Sequence, residues 1–159
     1  MQMLDSLSPH RHDPNPDPPS RDPVFVLIGA DGGEATLDVP DLQRLPVAIV
    51  DDCIIVSTGH GTSGPFAFTG VRLADVLAAY VDPGQSWSQV EVISGDGFGT
   101  RLRREEMDSP GASGQIVLAY AVDGAPMTRA QGLVRLIVPA ETDDALRQVK
   151  WVSQITVRA

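Results

Sequence analysis

The sequence is poor in cysteine and in long apolar runs, and each shortage excludes a class of protein. Cys53 is the only cysteine among 159 residues. No disulfide can therefore form within the chain, and a cysteine-rich zinc or iron–sulfur site is excluded. No apolar run approaches the roughly 20 residues that a membrane-spanning helix needs. The N-terminus also lacks the hydrophobic segment of a signal peptide, so we expect a soluble, cytoplasmic protein.

Positive charge is the second shortage. Lysine and arginine total 12 against 21 aspartates and glutamates, which gives a net charge of −9, and Lys150 is the only lysine. Such a field repels the phosphates of nucleic acids and anionic membrane surfaces. We therefore expect neither as a partner, which leaves a small-molecule ligand or another protein. The oligomeric state cannot be read from these numbers.

Proline divides the chain into a tail and one domain. Residues 1–23 hold six of the 13 prolines, mixed with polar residues. Because proline removes backbone donors and the stretch has little to bury, we predict a disordered Pro-rich tail. Residues 24–159 are long enough to bury a core of their own as one domain.

Hydrophobic periodicity within that domain predicts many short strands and few helices, which is typical of the α+β class. A helix is expected from Leu73, because apolar residues recur at helical spacing through Tyr80. A short helix is expected over 40–45, and a single helical turn over 103–107. Residues 57–64 are predicted to be a loop of small residues. Strands are predicted over 24–28, 34–39, 47–56, 89–94, 98–103, 115–122, 133–138 and 149–157.

Turn residues and alternation refine this outline. Gly95–Gly97 and the Asp123-Gly124 pair are hairpin turn signals, because glycine tolerates positive φ. In the last strand, alternation predicts one face that holds Val149, Trp151, Ser153, Ile155 and Val157. We expect Trp151 to share one core with the helix that begins at Leu73.

Five segments, taken together, resemble one known family. They are FAFTGVRLADVL at 66–77, ISGDGF at 93–98, LAYAVDGAP at 118–126, VRLIVP at 134–139 and VKWVSQI at 149–155. Their order and spacing resemble the oxidoreductase molybdopterin-binding domain family, over about residues 24–157. The resemblance implies a sulfite oxidase-like molybdopterin-binding fold, β-rich with few short helices. Each segment alone has an ordinary structural explanation, so the resemblance predicts the fold more strongly than a reaction.

The resemblance also implies a pyranopterin-bound molybdenum with one protein thiolate as a ligand. In the family that thiolate lies in the loop before the Phe-Thr-Gly segment. Here the matching positions hold Thr58, Gly59 and His60, and the loop from Ser57 to Pro65 has no cysteine. Cys53 lies earlier, in an apolar run. It can be a small buried hydrophobic residue or, through a shifted register, the metal ligand.

The anionic end of such a cofactor needs arginine, lysine or backbone N–H donors. The stretch between the fourth and fifth segments carries Glu141, Asp143 and Asp144, which would repel a phosphate. Only Arg147 and Lys150 would attract it. Arg101 belongs to a separate basic group, with arginines at 103 and 104. That group can be paired with the glutamates that follow it or can face a phosphate.

The glycine-rich stretch 59–64 resembles a phosphate-binding loop and the His-Gly-Thr string of subtilisin-like proteases. The lysine of a Walker loop is missing, and a protease of that type needs a serine elbow and a larger scaffold. The stretch can hold an anion on its backbone N–H groups or be an ordinary loop. The candidate binding residues are His60, Thr62, Ser63, Arg101 and Lys150.

Two functions from different classes remain open. The first is a non-catalytic binding or interaction module that lacks the molybdenum thiolate, with no metal site and no cofactor expected. The alternative is an active molybdopterin-dependent oxidoreductase that uses Cys53 as its metal ligand. Whether the protein is an enzyme therefore depends on one thiol.

Overall fold

The structure is a computed structural model that describes residues 22–57, 61–81, 86–105, 116–138 and 149–159. For 51–57 and 61–64 it gives the backbone only. The predicted tail, except for its last two residues, lies outside this description. In chain order the elements are β1 Phe25–Ile28, β2 Glu34–Leu37, α1 Val39–Gln43, β3 Ala48–Ser57, β4 Gly61–Arg72, α2 Leu73–Tyr80, β5 Gln89–Ser94, β6 Gly99–Arg103, β7 Val117–Val122, β8 Ala125–Pro126, β9 Arg135–Ile137 and β10 Val152–Arg158.

Two sheets form the fold. The first has the strand order β2-β1-β10-β5-β6, in which β1 and β10 are parallel and the other pairs are antiparallel. The second is antiparallel, with the order β3-β4-β7-β8, and β9 also pairs with β7. Short strands, mostly antiparallel and accompanied by few helices, confirm the α+β prediction. Neither described helix is long and apolar enough to span a membrane.

The main core joins both sheets and both helices. From the first sheet it takes Leu27 and Ile155, which are register partners, and from the second sheet Leu118. A smaller cluster lies on the opposite face of the second sheet, where Val117 and Ala119 alternate with Leu118 along β7. All three β7 residues are fully buried. The second sheet is therefore covered on both faces at its centre.

The two helices begin with local acidic contacts. In α1, Asp41 N–H donates to Asp38 Oδ1 (3.0 Å) and Asp38 N–H donates to Asp41 Oδ2 (3.1 Å), which is a reciprocal capping box. In α2, the guanidinium of Arg72 donates two 3.0 Å hydrogen bonds to Asp75. The predicted apolar stripe of α2 is buried, except that Tyr80 is 38% exposed at the helix end.

The hairpin turns predicted from glycine are confirmed. Gly97 has φ +91°, and Ser94 N–H donates to the Phe98 carbonyl across the β5–β6 turn at 2.7 Å. Asp123 and Gly124 both have positive φ between β7 and β8. The strand after this turn is only two residues long, and β9 pairs further back along β7 with Val117–Ala119.

Three sequence predictions are wrong. Residues 61–64 are not loop: they belong to β4 and pair with the end of β3, as in Thr62↔Val56. The face predicted for the last strand is also wrong, because the register with β5 shifts between Val152 and Gln154. This bulge changes the alternation, so Val152, rather than Ser153, shares the main core with Ile155. The prediction that Trp151 shares one core with α2 is wrong as well: Trp151 is buried just before β10 but does not belong to the main core that holds α2.

Candidate functional site

The only thiol lies on a hairpin whose register shifts twice. Val50 pairs with Phe68, Cys53 with Phe66 and Ile55 with Ser63. From Val50 to Cys53, β3 advances three residues while β4 advances two. From Cys53 to Ile55, β3 advances two residues while β4 advances three. The two shifts therefore compensate, and the ladder at Ser57↔Gly61 has the same register as at Val50↔Phe68. Cys53 sits in the slipped portion between them.

Of the candidates in the glycine-rich stretch, two lie on a strand and one lies outside the described residues. Thr62 and Ser63 lie on β4, opposite Val56 and Ile55. His60 lies outside the described residues, as do Thr58 and Gly59. A cradle of consecutive free N–H groups needs a loop or turn conformation, whereas Thr62 and Ser63 are in an extended ladder. The backbone at these two residues therefore does not form such a cradle.

Arg101 is placed on the first sheet, beside a carboxylate. It is the register partner of Glu91, and its Nη2 lies 4.0 Å from Glu91 Oε2. Arg158 also donates to Glu91, whose side chain is only 8% exposed. Glu91 thus neutralises part of the positive charge that the two arginines bring, which weakens Arg101 as an anion ligand.

Lys150 is placed in different surroundings, beside a second cation. Residues 149–151 run along β9: Leu136 N–H donates to the Val149 carbonyl at 2.8 Å, and Trp151 N–H to the Gly132 carbonyl at 2.9 Å. The Lys150 Nζ lies 5.7 Å from the centroid of the Trp151 ring. The contacts of Lys150 and those of Arg101 therefore belong to separate regions of the fold.

Arg135 is the second cation, and the sequence reasoning did not single it out. It lies on β9, with its guanidinium carbon 5.5 Å from the centroid of the Phe68 ring. Partial burial lowers the pKa of Lys150, and the positive charge of Arg135 lowers it further. A signal for Arg135 was present in the sequence: it is a lone charge inside the apolar run Val134–Val138.

The backbone around this cationic pair, Arg135 and Lys150, is held in sparsely populated conformations. Leu133 has φ +57° and Trp151 has φ +50°. The indole N–H of Trp151 donates to the Arg129 carbonyl at 2.6 Å, which fixes the ring under Lys150. At Gly132, an added Cβ would lie 3.1 Å from Lys150 Cβ, so glycine leaves the room that the lysine stem occupies. Several contacts therefore position the Lys150 side chain.

A metal site built from protein side chains is not found in the described part of the chain. No three histidine, cysteine, aspartate or glutamate side chains gather there in a way that could hold an ion. The side chains of Cys53 and His60 lie outside that description. The described residues thus contribute cations and backbone donors.

Comparison with known proteins identifies the family. The profile of the oxidoreductase molybdopterin binding domain matches residues 27–159. The chain belongs to this family. In the sulfane dehydrogenase SoxCD from Paracoccus pantotrophus, one solved chain aligns with a TM-score of 0.68 and 18% sequence identity, over 87% of this chain. The alignment covers 38% of that chain, so this protein spans well under half the length of its structural relative. No curated protein sequence matches.

The fit of the family cofactor to these residues differs between its two ends. Lys150 and Arg135 suit a phosphate, because ammonium and guanidinium groups bind its oxygens through charge-assisted hydrogen bonds. The molybdenum end needs a soft thiolate. The only thiol of the chain is on β3, opposite Phe66, and precedes Ser57, the last residue of that strand, by four positions. The described cations thus suit the anionic end of the cofactor, and Cys53, whose side chain lies outside the described residues, is the one thiol that the chain offers to the metal end.

Proposed function

We propose that this domain is a non-catalytic binding module of the molybdopterin-binding family, which takes an anionic, phosphate-bearing small molecule at Lys150 and Arg135. Membership of the family supplies the cofactor-binding class. The cationic pair supplies the chemistry: two positive charges close enough for one to lower the pKa of the other. An anion between them would relieve that repulsion.

The position of Cys53 is the observation that supports the absence of catalytic molybdenum. The family resemblance places the metal thiolate before the Phe-Thr-Gly segment, where Thr58 stands five residues beyond Cys53. In an extended strand five residues span about 16 Å. The slip at Cys53 is one residue, about 3.3 Å, and it is reversed before the strand ends. A shift of this size does not bring Cys53 to the position of Thr58.

The experiment for the metal is expression in a host that makes the molybdenum cofactor, followed by molybdenum quantitation. We expect well below one molybdenum per ten chains in the wild type and no change in Cys53→Ser. Circular dichroism checks that both proteins are folded. Near-stoichiometric molybdenum in the wild type would refute the proposal.

The anion is tested separately, by isothermal titration with inorganic pyrophosphate. We expect Lys150→Gln to weaken binding about tenfold or more, because a charge-assisted contact is lost. Arg44→Gln is the matched control: Arg44 is 75% exposed and pairs with Asp41 on α1. Equal losses in the two variants would mean that pyrophosphate responds only to net charge.

The alternative function is an active molybdopterin-dependent oxidoreductase with Cys53 as metal ligand. One observation favours it: Cys53 lies in the only slipped portion of the described β3–β4 ladder, where the backbone departs from regular pairing. Bulges often redirect a side chain toward a site. Molybdenum that is present in the wild type and lost in Cys53→Ser would establish this alternative.

A further inference from the structure

The outer edge of β3 is an open strand edge among the described residues. β3 pairs with β4 on one side, and no described strand lies on the other. An edge strand presents unpaired N–H and C=O groups, onto which a further strand can add. This edge therefore offers backbone hydrogen bonds to an extended polypeptide.

Two large apolar side chains are exposed at the start of this edge. Val47 is 63% exposed and Ile49 is 53% exposed, while Ala48 between them is buried in the smaller core cluster. Val47 directly precedes β3, and Ile49 is the second residue of that strand. They are the two most exposed large hydrophobic residues among those described. An added strand would cover them.

The usable length of the edge is set by the residues that follow. The ladder is regular from Ala48 to Val50 and shifts before Cys53, at Asp51-Asp52. A bulge twists an edge away from further pairing, and charge there repels partners of the same sign. The open edge is thus about four residues, from Val47 to Val50, followed by two negative charges.

The charge and the short length of this edge favour a short extended segment over a second copy of the chain as the binding partner. A second copy of the chain would bring another −9 charge. Four edge residues with two exposed side chains also fall short of the roughly 800 Å² per partner that a stable dimer buries. A short extended segment needs less area, since the backbone ladder holds it, and basic residues would match the aspartates. We propose that the Val47–Val50 edge binds an extended segment of a partner protein in which valine-like residues precede lysines or arginines.

The probe is a fluorescein-labelled octapeptide in which four valines precede four lysines, titrated into the full chain by anisotropy. We expect binding that weakens as salt is raised from 50 to 300 mM, and at least tenfold weaker binding of a valine–glutamate peptide. Methylation of alternate peptide nitrogens should abolish binding, because it removes ladder donors. In the protein, Ile49→Lys should weaken binding at least tenfold. Val24→Lys, at a 44% exposed residue on β1's flank, is the control and should not.

Three results would overturn the proposal. Equal affinity for the two peptides would exclude the charge match. An unchanged affinity in Ile49→Lys, with the protein folded by circular dichroism, would exclude this edge. A concentration-dependent dimer in sedimentation that Ile49→Lys dissociates would assign the edge to a second copy of the chain.

Discussion

Substitution of Gly70 by alanine should be among the most damaging single-methyl changes in this protein. Gly70 lies on β4, at its register shift against β7, opposite Ala119. An added Cβ would lie 1.9 Å from the Leu118 carbonyl oxygen and 2.6 Å from Ala119 Cα. Both neighbours are backbone atoms of a buried central strand, so neither can rotate away as a side chain could.

The size of the stability loss depends on which atoms must move to make room for the added methyl group. Overpacking against adjustable side chains typically costs about 1–3 kcal/mol. Here a contact that is more than 1 Å too short must be relieved by separating β4 from β7, which also lengthens ladder hydrogen bonds. We therefore expect Gly70→Ala to lose at least about 3 kcal/mol, a large part of the roughly 5–15 kcal/mol that stabilises a domain. For a chain of this size, that loss lowers Tm by about 6–12 °C.

The assay is urea denaturation followed by tryptophan fluorescence, since Trp151 is buried. Gly97→Ala is the matched control: Gly97 has φ +91° but nothing within 4 Å of an added Cβ. That variant should lose only about 1 kcal/mol, from backbone strain alone. The reasoning fails if Gly70→Ala is no more destabilising than Gly97→Ala.

Three other predictions follow from burial and charge. Thr100→Val should raise stability by about 1 kcal/mol in urea melts, because this fully buried hydroxyl has no hydrogen-bond partner among the described residues; a loss would point to a partner. Leu77→Ala should cost about 2–5 kcal/mol in the same assay, since Leu77 is 3% exposed, whereas Tyr80→Ala should cost under about 1 kcal/mol. Pyrophosphate affinity should fall as pH rises through the pKa of Lys150, which is lowered from the usual 10.5, because the ammonium group loses its charge. Lys150→Arg should keep its affinity at that pH, because arginine stays charged. Identical pH profiles for the two proteins would contradict the assignment.

Local signals in the sequence were sufficient for the elements whose causes are local. Gly97 needs positive φ for the β5–β6 turn, and that need is visible from a Gly-Asp-Gly string alone. The stripe of α2 follows from helical spacing of its apolar residues. The turn at Asp123 is likewise local, although the side chain of Asp123 also accepts a 2.9 Å hydrogen bond from Ala67 N–H.

Features that depend on contacts with residues far away in the sequence could not be predicted from local patterns. Gly70 entered the sequence analysis only within the 66–77 segment, but glycine is required there because Leu118, 48 residues later, approaches it closely. The face of the last strand depends on the bulge against β5 and so on a partner strand some 60 residues away. Residues 61–64 look like loop because they are small and polar, yet pairing with β3 makes them strand.

In the candidate site, too, one cation could be predicted from the sequence and the other could not. Lys150 was predicted from its type, and Arg135 was missed because the two segments meet only through backbone pairing, which includes the bridge between Leu136 and Val149. That bridge brings a like-charge pair together beside Leu133 and Trp151, two residues in left-handed conformations. Each such backbone conformation costs roughly 1–3 kcal/mol, and such strain clusters at binding sites and clamps. The two strained residues cost stability at the place where the two cations lie. Their coincidence at one place is therefore the reason that we propose binding at this region rather than at Arg101, whose charge Glu91 partly neutralises.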